Sequence, residues 1–151
     1  MGFRFALQSV LHLRQSLEHQ QELRLRAANQ QVARVKHGLE QIDTRRRQMQ
    51  SMQAQELGSG LTAAELRFEL HCEEAMQRQR RELEMQLARL LQWRDQQRVL
   101  LQRARQARET LEAVRDGELQ RYRQQAARRE QRTLDDLFLM RKNLSARNRS
   151  L

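Results

Sequence analysis

Residues 57–66 read LGSGLTAAEL, and they contain the only close pair of glycines in a chain that has no proline. Glycine adopts positive φ without the steric cost that a Cβ imposes, so Gly58 and Gly60 can end a helix and reverse the chain. We therefore expect a first helix to end near residue 57 and a turn to follow over residues 58–61. The alternative interpretation is a flexible Gly/Ser linker between unrelated segments.

The residues after the turn carry the start signals of a second helix. Thr62 followed three residues later by Glu65 is the pattern of a capping box. In this motif the threonine hydroxyl accepts a hydrogen bond from a backbone amide that has no helical partner, and the glutamate carboxylate accepts one from the Thr62 amide. Leu61 and Leu66 are placed to form the accompanying hydrophobic staple. A flexible linker needs neither device, so the stretch favours a helical hairpin whose second helix starts near residue 63.

The composition argues against a thick globular core. The 151 residues are 38% hydrophobic and 4% aromatic, while 32% are charged. The most abundant residues, arginine, glutamate, glutamine, leucine and alanine, are good helix formers. These values are typical of a long coiled-coil protein or of a disordered chain, and the periodicity of the apolar residues decides between the two.

Apolar residues recur every three or four positions in both halves of the chain, as on one face of a helix. On the first helix, expected over residues 3–57, the stripe is Phe3, Leu7, Val10, Leu17, Leu25, Ala28, Val32, Val35, Leu39, Ile42 and Met49. On the second, expected over residues 63–145, it is Leu83, Leu87, Leu90, Trp93, Gln97, Leu100, Ala104, Ala107, Leu111 and Val114. The first stripe has a polar gap at Arg46 and a stutter through Gln21, and the two stripes together favour ordered helices over disorder.

Folding the chain about Ser59 brings the two stripes together. Residues whose numbers add up to about 118 then face each other, so that Leu83 lies opposite Val35. Gln21 faces Gln97, and this polar layer either fixes the register or is simply tolerated in a thin core. We therefore predict an all-α fold, an antiparallel two-helix coiled-coil hairpin in a single elongated domain.

The second helix outlasts its partner and is predicted to form a long C-terminal helical overhang, unpaired beyond about residue 116. Gly117 lies where the pairing should stop, either as a hinge or as a tolerated glycine. Residues 121–149 hold nine basic and three acidic residues, and residues 134–140 (LDDLFLM) form a dense apolar cluster. Such a helix is either a docking surface or the start of a disordered tail.

The formal net charge of +10 suits nucleic acid, an anionic membrane surface or an acidic protein partner. The single cysteine, Cys72, excludes an intramolecular disulfide and suits a reducing compartment. The sequence shows no secretory signal and no apolar run of membrane-spanning length. We therefore expect a cytoplasmic protein.

The sequence shows no catalytic or metal-binding pattern. Its four histidines are scattered, and the one local grouping, residues 71–74 (HCEE), lacks zinc-site spacing. Asp135 and Asp136 are adjacent, so they do not share a helix face as an acid and base pair. No glycine-rich phosphate loop is present. We expect neither a cofactor nor enzymatic activity.

Two terminal motifs carry a family resemblance. Residues 3–14 read FRFALQSVLHLR, an aromatic-basic-aromatic start followed by spaced leucines, and residues 130–137 read EQRTLDDL. Together with the hairpin plan, the chain size and the position of the turn, they resemble the FliJ family, small coiled-coil components of the flagellar type III export apparatus.

The resemblance implies a function that the residues alone do not. FliJ proteins are similar to the central stalk of rotary ATP synthases; they engage the hexameric export ATPase FliI, contact the export gate protein FlhA and are linked to export chaperones. The joined ends of the coiled coil would enter the ATPase ring, and residues nearer the turn would contact the gate. This places the protein at the cytoplasmic face of the inner membrane, held there only by its partners.

The resemblance also implies candidate contact residues. Those for the ATPase are Phe3, Phe5, Leu7, Tyr122, Leu134, Asp135, Leu137 and Phe138. Those for the export gate are Ile42, Met49, Cys72 and Met76.

Alternative functions come from other classes. A basic coiled coil can bind nucleic acid, but only Tyr122 and Phe138 lie among the basic residues of the overhang, whereas single-strand binding uses interleaved aromatics, so we expect no nucleic acid. A membrane-surface helix needs a strongly amphipathic pattern with basic flanks. A stalk protein of a related, non-flagellar type III secretion system has the same pattern as a flagellar one.

Overall fold

The computed structural model of the protein describes residues 2–56 and 58–147, with side chains through Ser145. These residues form two long helices and no strand: α1 is Gln8–Glu56 and α2 is Ala63–Arg147. The helices pack against each other, which confirms the all-α fold and the two-helix coiled-coil hairpin. The start of α2 is the predicted one.

The turn between the helices takes the geometry that its glycines predict. Gly60 has a φ of +80°, a left-handed conformation that residues with a Cβ rarely adopt. The Ser59 amide donates to the Glu56 carbonyl oxygen at 2.8 Å, and the Ser59 hydroxyl donates to the same oxygen at 2.9 Å. These bonds satisfy a carbonyl that the end of α1 would leave without a helical partner. Leu57, the predicted last residue of the first helix, lies outside the described residues.

The predicted capping box forms at the start of α2. The Thr62 amide donates to Glu65 Oε2 at 2.8 Å, and the Glu65 amide donates to Thr62 Oγ1 at 3.3 Å. The bonds from the Thr62 amide and hydroxyl hold the pKa of Glu65 below its ordinary value of 4.5. Leu61 and Leu66, the predicted staple, line the same surface hollow. The stretch is therefore a capped turn and not a flexible linker.

Contacts group the chain into two compact units. One is Leu17–Ala104, which contains the turn and is called the hairpin unit here. The other joins Met1–Ser16 to Arg105–Leu151, of which residues 2–16 and 105–147 are described, and is called the terminal unit. The single elongated domain stays a prediction.

The core of the hairpin unit is narrow. Its buried positions on the two helices are Ala28, Val32, Val35, Ile42, Gln97 and Leu101. The four on α1 belong to the predicted stripe. The helices approach closely at Gly38, where an added Cβ would lie 3.4 Å from Leu83 Cδ1. A seam of this width buries one line of side chains per helix, as expected for two helices without a third layer.

A polar layer interrupts this seam. Gln97 is buried, and the side-chain oxygens of both Gln97 and Gln21 are shielded from solvent without a hydrogen-bond partner among the described residues. A buried acceptor left unsatisfied costs about 1–3 kcal/mol, so the layer weakens the hairpin locally. Its role in fixing the register stays a prediction.

The contacts across the hairpin unit depart from the predicted register by one residue at Arg46–Glu73 and by up to five residues further along. Arg80 Nε lies 3.1 Å from Asp43 Oδ1, and Gln53 Nε2 donates to Glu69 Oε2 at 3.1 Å. In both pairs the residue on α1 lies four or five positions nearer the turn than a pairing centred on Ser59 requires. The left-handed residue is Gly60, so the centre of the pairing lies later in the chain than Ser59. The long side chains of these pairs also reach along the seam.

The stripe predicted on α2 is wrong at two positions, Leu100 and Val114, whereas Ala104, Ala107 and Leu111 are half-buried as predicted. Leu101 is 6% exposed, whereas Leu100, the predicted seam residue, is 39% exposed. Val114 is exposed as well. Steps of three and four residues both fit a helix face, so the pattern cannot choose between adjacent leucines, and the packing against α1 selects the second.

The start of α1 is five residues later than predicted, at Gln8. The Gln8 amide donates to the Phe5 carbonyl oxygen at 3.2 Å, which closes a turn before the helix. Because residues 2–7 are not helical, the helical spacing counted from Phe3 does not hold. Phe5 and Leu11 are buried instead. The predicted stripe residues that are exposed are Leu7, Val10 and Leu17.

Pairing in the terminal unit also extends further than predicted. The rings of Phe3 and Tyr122 have centroids 5.7 Å apart at an interplanar angle of 51°. The predicted limit near residue 116 is therefore wrong, because the non-helical N-terminal segment reaches further along α2 than a helix of equal residue number would. The overhang begins after Tyr122, and α2 continues through Gly117 without a break.

Candidate partner-binding surfaces

The overhang exposes all of its apolar residues beyond Ala126. Every side chain from residue 127 to residue 145 is exposed. The large apolar side chains among them are Leu134, Leu137, Phe138, Leu139, Met140 and Leu144, all more than half exposed. A contiguous exposed apolar patch of this kind marks an interaction site in folded proteins.

Most of these side chains lie on one side of α2. At about 100° per residue, Leu134, Leu137, Phe138, Met140 and Leu144 fall within an arc of about 160°, which is wide enough for a partner groove. We call this the overhang face. Asp135 and Asp136 lie outside the arc, and Asp135 Oδ1 accepts a hydrogen bond from Gln131 Nε2 at 3.2 Å. Arg141 lies inside the arc, so the overhang face is apolar with a basic residue within it.

The N-terminal candidates for the ATPase contact differ in exposure. Phe3 is half-buried against Tyr122, and Phe5 is buried, so both hold the terminal unit together. Leu7 is exposed. Leu134 lies about 18 Å beyond Tyr122 along α2, as the helical rise dictates. The predicted set therefore separates into a packed group around Phe3 and the free overhang face.

The candidates for the export-gate contact lie in the hairpin unit. Ile42 is 3% exposed, so it belongs to the core and cannot contact a partner while the hairpin is folded. The prediction overlooked that Ile42 belongs to the same stripe that holds the helices together. Met49, Cys72 and Met76 are half-buried and present only part of each side chain.

An ion pair crosses the hairpin next to these residues. Arg46 donates to Glu73 Oε1 through Nη2 at 2.6 Å and through Nε at 3.1 Å. Gln77 Nε2 donates to the same oxygen at 3.1 Å. The Arg46 bonds, and then the Gln77 bond, hold the pKa of Glu73 below its ordinary value of 4.5. This pair joins α1 to α2 close to Cys72 and Met76.

Comparison with protein families shows which family the chain belongs to. The family model described as flagellar FliJ protein matches residues 3–147. The chain belongs to the FliJ family. The match includes both helices, the turn and the overhang as far as residue 147. No curated protein and no solved structure matches the chain.

Membership of the FliJ family shows that this chain is a protein related to flagellar export. The family is a non-enzymatic export component. Within the described residues, no three histidine, cysteine, aspartate or glutamate side chains form a metal-binding group. No helix in the part of the chain that is described is long and apolar enough to cross a membrane.

The sequence interpretation missed an exposed apolar group near the turn of this FliJ-family chain. Its members are Met52, Leu66, Phe68 and Leu70, all more than half exposed. Phe68 is 70% exposed, slightly more than Phe138 at 68%. The sequence indicates this exposure through helical phase, because Phe68 lies outside the stripe that begins at Leu83. The neighbours of Phe68 in the sequence are the charged residues Arg67 and Glu69.

Proposed function

We propose that this FliJ-family protein binds the ring of the hexameric export ATPase FliI in the manner of a central stalk and links it to the export gate FlhA, thereby promoting ATPase activity and substrate export. The observation that supports this is the exposure of every side chain from residue 127 to residue 145, in a stretch with six large apolar residues. The protein then works in the cytoplasm at the inner membrane, where its partners hold it.

The overhang face supplies the binding energy for the ATPase contact. Fully burying a leucine or phenylalanine side chain gains about 1.5–3 kcal/mol, and association costs take back part of the total. Burial of Leu134, Leu137 and Phe138 in an apolar socket is therefore sufficient for a specific complex. The surrounding arginines favour acidic loops on the ring, which would accelerate encounter and make binding salt-sensitive.

The same geometry disfavours nucleic acid as the partner. Single-stranded nucleic acid is held by aromatic side chains that stack on successive bases. Of the two aromatics near the basic residues of the overhang, Tyr122 packs against Phe3, so Phe138 alone is free to stack. The overhang suits an apolar protein socket better than a row of bases.

The link to the gate is the other half of this proposal. Met49, Cys72 and Met76 are half-buried beside the Arg46–Glu73 pair, and they offer the gate a small apolar contact on a hairpin held in place by that pair. Ile42 supports the contact from within the core.

Turnover of the cognate export ATPase tests the proposal. The triple variant Leu134→Ala, Leu137→Ala and Phe138→Ala should lose stimulation and bind the ATPase on the order of a hundredfold more weakly. Truncation after Arg123 should do the same and keep Tyr122 packed on Phe3. Phe68→Ala is the matched control, since its exposure is close to that of Phe138.

Two results would overturn the ATPase contact. One is full stimulation by the truncated protein, which would shift the contact to Phe3, Phe5 and Leu7. The other is salt-dependent binding to single-stranded DNA, or to anionic vesicles, that the triple variant loses while ATPase turnover is unaffected.

A further inference from the structure

The turn carries a surface that contains none of the candidate residues for the ATPase or the gate. Besides Ser59 and Gly60 of the turn, three apolar and three acidic residues line an open concavity there: Leu61, Ala64, Phe68, Glu56, Glu65 and Glu69. We call these six residues the tip surface. All of them belong to the hairpin unit.

Phe68 is the largest residue of the tip surface and has no part in the core of the hairpin. Its side chain is 70% exposed, while Leu61 beside it is half-buried. Single exposed apolar residues are common and need no explanation. Here the exposed ring shares a concavity with Leu61 and Ala64, which gives a partner side chain an apolar wall to fill.

The charge around the tip surface is opposite to that of the chain as a whole. Residues 48–77 contain five glutamates and one arginine, in a protein whose formal net charge is +10. Glu69 is bonded to the neutral amide of Gln53, so no cation compensates its charge in that bond. Glu65 is held by the cap at Thr62. The tip surface is therefore an acidic site in a basic protein.

We propose that the tip surface binds a basic amphipathic segment of a partner protein. An apolar side chain of this segment covers Phe68, and its lysines or arginines face Glu56 and Glu69. The acidic lining repels phosphate groups, which disfavours nucleic acid and anionic lipid. A symmetric dimer through this surface would place the glutamates of one copy against those of the other, so it is disfavoured too.

This inference does not depend on the ATPase contact, because the overhang face belongs to the terminal unit. A fluorescein-labelled amphipathic helical peptide of leucine and lysine, about 18 residues or five turns long, serves as the probe. Its affinity for the full chain is measured by fluorescence anisotropy at low and at high salt. A peptide with glutamate in place of lysine serves as the opposite probe.

We expect the basic peptide to bind the tip surface. The acidic peptide suits the arginines of the overhang instead, so its affinity should not change in Phe68→Ala. Phe68→Ala should weaken binding of the basic peptide by about tenfold or more, with no change in melting temperature because the ring is exposed. Glu56→Gln with Glu69→Gln should weaken binding and flatten its salt dependence. Phe138→Ala is the matched control for the ring and should bind as the parent does. Glu130→Gln with Asp136→Asn is the control for lost charge.

Reversing the charge gives a second test that does not rely on loss of binding. Glu56→Arg with Glu69→Arg should weaken binding of the basic peptide and strengthen binding of the acidic one. The proposal is overturned if Phe68→Ala leaves the affinity for the basic peptide unchanged, or if Phe138→Ala lowers it equally. It is also overturned if light scattering shows self-association that either phenylalanine variant abolishes, because the occupant would then be the overhang of a second copy.

Discussion

Replacing Ile42 by alanine tests whether the seam of the hairpin unit carries its stability. Ile42 is 3% exposed. The substitution removes three carbon atoms, which at about 0.8 kcal/mol per buried methylene loses about 2.4 kcal/mol of transfer free energy. A two-helix seam collapses around the vacated space more readily than a globular core, so the cavity term is small. We expect the free energy of unfolding to fall by about 2.5–3 kcal/mol.

Urea denaturation followed by far-ultraviolet circular dichroism measures this loss. The unfolding midpoint of Ile42→Ala should fall with an unchanged slope, and its melting temperature should fall by about 5–10 °C. Met52→Ala is the control, because Met52 lies on the same helix and is exposed. A loss below about 0.5 kcal/mol, or an equal loss in the control, would refute the assignment of Ile42 to the core. It would also restore Ile42 as a candidate gate contact.

Two further predictions concern the turn and the ion pair. Gly60→Ala should destabilise the protein by about 1–2 kcal/mol, because its φ is +80°. Gly117→Ala should stabilise it by about 1 kcal/mol, since α2 is helical there and an added Cβ meets nothing within 4 Å; equal effects of the two in urea denaturation would contradict the turn geometry. The pKa of Glu73 is lowered chiefly by Arg46, so its stabilisation is present above pH 4.5 and is lost as the pH falls through the lower folded pKa. Glu73→Gln should therefore lose less stability than the parent on acidification, by under about 1 kcal/mol; identical acid melting curves would exclude this contribution.

The features that the sequence predicted correctly are those that local chemistry determines. Gly60 and the Thr62–Glu65 box act within a few residues of each other, so their pattern is sufficient to locate the turn and the start of α2. The stripe through Val32 and Ile42 is predictable as well, since neighbouring polar positions leave one phase only.

The features that the sequence did not predict depend on packing between segments. Leu100 and Leu101 are equally apolar, and contact with the other helix selects Leu101 for the seam. The sequence has no strong capping signal at Gln8, where α1 starts. The helix does not begin earlier because residues 2–7 pack through Phe3 and Phe5. The exposure of Phe68 is the exception, because its position outside the stripe that begins at Leu83 can be read from the sequence of α2.

The two phenylalanines on α2 offer a way to separate the two proposed surfaces. Phe68 and Phe138 are almost equally exposed, but Phe68 shares a concavity with three glutamates, whereas Phe138 shares the overhang face with Arg141. Substitutions at distant sites without shared partners act additively. If the tip surface and the overhang face bind different partners, each alanine variant should lose one interaction, and the double variant should lose both independently. If the two surfaces bind each other in neighbouring copies, either variant alone should abolish the contact and the second should add nothing. Additivity therefore distinguishes a protein that links two partners from one that assembles with itself.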